Sequence, residues 1–201
     1  MSVYYFKGAR ILAPLTIVSN APMFDADTVS LRKQRASQNA QRWELSFNTI
    51  GTTDTQVDIF LGAIVDIDTV DTMVMPQLPA VDSKTTATTT TPAVFTGGAS
   101  GITSVTLESD AVAGLIPKGT FFKFSNHGKI YVTTNDASLD GADPVVNFYP
   151  ELRQAVDNTH TMNIGASAVI SYYQDIDNQV GITFTDGVLS NAGTITVIEA
   201  I

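Results

Sequence analysis

Apolar side chains fall at every second position in several stretches of this chain. In Arg42-Trp43-Glu44-Leu45-Ser46-Phe47-Asn48, the residues Trp43, Leu45 and Phe47 alternate with Arg42, Glu44 and Ser46, a period that predicts a strand with one buried face. A second pattern predicts a hairpin. Phe122 and Phe124 precede Ser125-Asn126-His127-Gly128, and Ile130 and Val132 follow it with Tyr131 on the opposite side; Gly128 is available for a positive φ. Val145-Val146-Asn147-Phe148-Tyr149 is β-branched and aromatic and stops at Pro150, which has no N–H for a ladder. It adds a third strand to make a meander. Late in the chain, residues 168–173, 180–184 and 194–198 are β-prone, with turn chemistry at Asp186-Gly187 and Asn191-Ala192-Gly193.

One stretch has a different period. Thr53-Asp54-Thr55-Gln56 reads as a capping box, and Val57, Phe60, Leu61, Ile64 and Val65 then recur at helical spacing, predicting one amphipathic helix of about three turns. Earlier, Pro14 and Pro22 break the N-terminal apolar runs into short pieces. Residues 76–101 are rich in Pro, Thr and Gly without apolar period and read as a linker or an exposed first strand. The layout predicts a mainly β protein: an outer β-rich domain with one short helix, built from residues 1–80 and 161–201, and a small all-β module at 81–160 inserted into it.

Composition narrows the function classes. With 201 residues the chain is long enough to fold around its own core, and it has no cysteine, which removes thiol catalysis and thiolate metal sites. Eleven basic and twenty acidic residues give a net charge of −9, contrary to the needs of a protein that wraps nucleic acid. Six of the eleven basic residues lie in the first 42 positions, among them Arg32, Lys33, Arg35 and Arg42. This strip against an acidic body suits a self-association contact, a local anion site or a solvated edge strand. No membrane span or targeting segment is expected: the apolar run from Val57 to Val65 is interrupted by Asp58.

Candidate chemistry is thin. His127 and His160 are far apart in sequence, and His127 reads as a turn residue rather than part of a triad. Asp66, Asp68 and Asp71 have carboxylate spacing that invites calcium, but the glycine and terminal glutamate of an EF-hand loop are absent, and a solvated helix end is expected. Gly97-Gly98-Ala99-Ser100-Gly101 matches neither a nucleophile elbow nor a phosphate loop. Tyr131, Tyr149, Tyr172 and Tyr173 are candidates for a sugar platform or for core packing. Neither a catalytic residue nor a cofactor or metal site is expected, so a small hydrolase working through Asp and Glu pairs ranks below a structural or a binding role.

The early strand Arg42-Trp43-Glu44, the adjoining helix, the segment Gly119-Thr120-Phe121-Phe122-Lys123-Phe124 with His127 and Lys129-Ile130-Tyr131, and the closing Phe148-Tyr149-Pro150-Glu151-Leu152 together resemble the distal tail proteins of long-tailed bacteriophages. The resemblance covers most of the chain; the threonine-rich Lys84 to Thr91 departs from the pattern. It implies an outer β-sandwich or split-barrel domain closing into a six-membered ring at the end of the tail tube or in the baseplate, and an inserted barrel of the oligonucleotide/oligosaccharide-binding type facing outward. The implied partners are copies of itself and the tail tube, baseplate hub and fibre proteins, in a virion assembled in the host cytoplasm. DNA would pass through the ring without specific binding, and no membrane is involved. On that basis Arg32, Lys33, Arg35 and Arg42 are assigned to a subunit contact, and Asp54, Asp58, Asp66 and Asp68 to an acidic lumen or rim. Recognition of host carbohydrate by exposed Tyr149 or Tyr131 is the alternative.

Overall fold

The computed structural model describes residues 3–27, 33–37, 40–50, 69–109, 113–175, 183–185, 188–191 and 193–201, with 24–27, 33–37, 183–185 and 188–191 described as backbone only. The chain is mainly β. A first antiparallel sheet takes its strands from both ends of the sequence: β1 (Tyr5–Phe6), β2 (Ala9–Asn20), β5 (Arg42–Ile50), β18 (Thr194–Glu199), β15 (Val169–Gln174) and β6 (Asp71–Val74), in that spatial order. The sheet curls until its edges meet, where Lys7 Nζ of the β1–β2 turn lies 3.0 Å from Asp71 Oδ2 of β6. A second sheet has the order β14 (Met162–Ile164), β10 (Phe121–Phe124), β11 (Ile130–Thr133), β13 (Val145–Tyr149), β8 (Ser104–Leu107) and β7 (Val94–Thr96). Among the described residues, three two-stranded ribbons complete the set: β3 (Met23–Asp27) with β4 (Lys33–Ser37), β9 (Leu115–Ile116) with β12 (Ala137–Ser138), and β16 (Thr183–Thr185) with β17 (Val188–Asn191).

The second sheet closes on itself. Ahead of β7 the chain pairs with β14 through an Ala93–Thr161 bridge and three amide bonds: Val94 N to His160 O at 3.0 Å, Met162 N to Pro92 O at 2.9 Å and Ile164 N to Thr90 O at 2.8 Å. The segment read as a linker or an exposed first strand therefore supplies the closing strand of a six-stranded barrel. Its threonines also stand in for backbone. Thr86 N donates to Leu115 O at 3.1 Å while Thr86 Oγ1 accepts from Leu115 N at 2.9 Å, a side-chain substitution that sequence alternation cannot register.

Alternation accounts for the core of the first sheet. In β5, Trp43, Leu45 and Phe47 are buried, and they share a cluster with Phe6, Ile170, Tyr172, Ile195 and Val197. The predicted meander is present as β10, β11 and β13, and its pairing of Phe122 with Tyr131 places Phe122, Phe124 and Tyr131 inside the barrel. The opposite face of the same hairpin is not solvated: Phe121, Ile130 and Val132 pack into the core of the first sheet. Gly128 has no positive φ, so the turn does not use the freedom its glycine offers.

Three further expectations change. Pro14 does not end a strand: β2 runs through it for 12 residues, and the register shift between Leu12 and Thr16 absorbs the missing N–H. Asp71 is not a solvated helix end but the first residue of β6, held by Lys7. The helix predicted at 53–65 lies outside the described residues; the described helix is a single turn, α1 (Pro79–Asp82), started by a proline whose fixed φ suits the first helical position.

Candidate functional site

A buried polar cluster joins the two sheets. In β18, Ile195, Val197 and Glu199 share one phase, so a carboxylate stands on the apolar face; in front of β5, Gln41 shares the phase of Trp43 and Leu45. Lys129, from the end of the β10–β11 turn, reaches both. Its Nζ donates to Glu199 Oε2 and, at 2.6 Å, to Gln41 Oε1. Glu199 also accepts from Ile130 N at 2.6 Å and Trp43 N at 3.1 Å. All three side chains are buried: Lys129 is 2% exposed, Gln41 4% and Glu199 0%. Burial pulls the Lys129 amine down to about 8, against the opposing attraction of Glu199.

Two neutral clamps flank this pair. Trp43 Nε1 donates to Ile130 O at 2.8 Å, and Gln77 bonds the backbone of Phe121 twice, through Nε2 to its carbonyl at 2.7 Å and Oε1 from its N–H at 2.9 Å. The outer face of the hairpin is thus fastened by side chains where sheet bonds do not reach.

Gln41 and Lys129 also line a cleft of about 510 Å³, with Tyr149, Pro150, Glu151 and Arg153 on the side of the second barrel and Ala21 and Met23 on the other. Tyr149 is 41% exposed and meets Trp43 edge-on at 6.5 Å. Tyr131 does not belong to such a surface. It is fully buried, its hydroxyl accepts from Arg153 N at 3.0 Å and lies 2.7 Å from His127 Nε2, and burial raises its pKa to about 12. Tyr172 is buried in the first core, and Tyr173 accepts a 2.8 Å bond from Arg42 Nη1.

Of the residues assigned to a subunit contact, Arg42 is exposed beside Tyr173, and Lys33 and Arg35 lie on β4, where the register sets them opposite Asp27 and Asp25 of β3. Arg32 lies outside the described residues, as do Asp54, Asp58, Asp66 and Asp68. In the 97–101 run, Gly97 serves close approach, since a Cβ there would sit 1.9 Å from Val156 O, Gly98 exchanges two amide bonds with Val156, and Gly101 takes a positive φ. Among the described residues, no three His, Asp or Glu side chains gather as a metal site, and no helix is long and apolar enough to cross a membrane. Sequence reading missed Gln41, Lys129 and Glu199, although the inward phase of Gln41 and Glu199 was a readable signal. Compared with known proteins, the sequence matches no family model, and no curated protein is significantly similar to it.

Proposed function

We propose that the chain is a structural subunit of a bacteriophage tail, forming a ring at the distal end of the tail tube or in the baseplate and linking the tube to tip or fibre proteins. The observation that carries this reading is the arrangement of the sheets. An outer sheet drawn from both chain ends holds a closed barrel formed by the intervening residues, the arrangement that the resemblance to distal tail proteins implies. The buried Lys129–Glu199 junction fastens the two together, which suits a part that works by holding position rather than by catalysis. The net charge of −9 suits a conduit from which DNA must leave freely.

Electron micrographs of the purified protein should show six-fold rings with a central hole, and native mass spectrometry should give the hexamer. Compact monomers at every concentration would overturn the reading. Charge reversal at Arg32 and Arg35 should lower the ring fraction at least tenfold; rings unchanged by it would remove the basic strip from the subunit contact.

The exposed ring of Tyr149 over a cleft with Gln41, Glu151 and Arg153 supports a second reading, in which the tail tip holds host carbohydrate there. A glycan array probed with the whole chain and with Tyr149→Ala tests it, since binding lost in the variant would favour this reading.

A further inference from the structure

Lys129, Gln41 and Glu199 form a reactive arrangement as well as a clamp. The Lys129 amine donates to both the Gln41 carboxamide and the Glu199 carboxylate at a site where each of the three is almost wholly removed from water. We propose that Lys129 and Gln41 become joined by an isopeptide bond that the protein forms by itself, with Glu199 relaying the proton.

Lys129 Nζ lies 2.6 Å from Gln41 Oε1, so the carboxamide carbon one bond further on is within reach of the amine. The amide orientation follows from its partners: Oε1 faces a donor, and Nε2 donates to Ser19 Oγ at 3.0 Å. Glu199 takes one proton from the ammonium, leaving a lone pair on Nζ. That pair attacks Cδ of Gln41 to give a tetrahedral centre, whose oxygen keeps the negative charge while Nζ still bears protons. Nζ and Nε2 are now on the same carbon, and Glu199, held against Nζ, passes its proton to Nε2; the Cδ–Nε2 bond breaks, and ammonia leaves as the carbonyl re-forms. The Glu199 carboxylate then takes the remaining proton from Nζ, which completes the new amide, and yields it to the departing ammonia, which leaves as ammonium. One C–N bond is made and one broken, and no oxidant or other reactant is needed. A desolvated amine with its pKa near 8 supplies the neutral nucleophile close to neutral pH. Gln41 and Lys129 both line the open cleft, which provides the way out for ammonia.

The bond would tie the start of β5 to the β10–β11 turn, 88 positions apart in sequence, and so weld the outer sheet to the barrel. It would form in a monomer or a ring alike. Intact-mass measurement of the purified full chain, incubated at a pH of about 8, should show a species lighter than the sequence mass by one ammonia. Peptide mapping should recover the fragment of Gln41 joined to that of Lys129. Gln41→Met should restore the full mass, and Glu199→Gln should slow the loss at least tenfold. A wild-type chain of unreduced mass overturns the proposal, as does an ammonia loss that mapping places elsewhere. The wild-type spectrum decides the matter even where a variant fails to fold.

Discussion

The amide of Asn126 determines the state of His127. Because Asn126 Nδ2 donates to Ala155 O, its Oδ1 is what faces His127 Nδ1 at 2.7 Å, so the neutral imidazole carries its proton on Nδ1 and Nε2 accepts from the Tyr131 hydroxyl, whose oxygen accepts from Arg153 N. Asn126 Nδ2 passes the chain on to Ala155 O at 2.8 Å. A protonated ring would oppose this order, and burial, followed by the charges of His160, Lys123 and Arg153, lowers the His127 pKa to about 4. The unfolded chain takes up the proton near 6.5 while the native state refuses it until about 4. Stability supplied by this residue is thus complete above 6.5 and disappears as pH falls toward 4. Urea midpoints of wild type minus those of His127→Gln should shrink across that interval; a constant difference would show that the ring titrates equally in both states.

At the scale of elements, the β10–β11 hairpin was legible as a hairpin, because alternation about a turn is a local property of Phe122, Phe124, Ile130 and Val132. Its depth was not legible. Phe121 and Ile130 face a core built from β5, β15 and β18, and no local pattern distinguishes a solvated second face from one covered by distant strands. The barrel closure at Thr90 to Val94 was legible only as a linker or an exposed first strand: its bonds to His160, Met162 and Ile164 join backbone groups, and the segment lacks the apolar period by which strands are recognised. Gly97 was readable as a breaker, but its role is to let the chain pass against Val156. Gly97→Ala should cost about 1–3 kcal/mol through the forced separation of backbones, measured by chemical denaturation. Phe95→Ser, two positions away and 54% exposed, should stay within about 0.5 kcal/mol.

For the whole molecule, the buried charge between the sheets matters most. Removing one partner leaves the other charge and the amides of Trp43 and Ile130 without their acceptor, so Glu199→Ala should destabilise by about 3–5 kcal/mol. The double change Lys129→Met with Glu199→Leu should recover part of that loss, since the uncompensated charge is gone. Denaturation curves of the three proteins check the order; a single variant as stable as wild type would show that the pair is dispensable.

The sequence by itself determined that the chain is mainly β, where its hairpin and its half-buried strand lie, and that it contains no thiol chemistry, because each of these follows from neighbours along the chain or from composition. Only the tertiary structure decided that Lys129 meets Glu199, 70 positions away, and Gln41, 88 positions away. Alternation shows that a glutamate faces inward but not which cation answers it. That choice is made where β5, β18 and the hairpin turn converge, and burial there is what gives an ordinary amine, amide and carboxylate their capacity for chemistry.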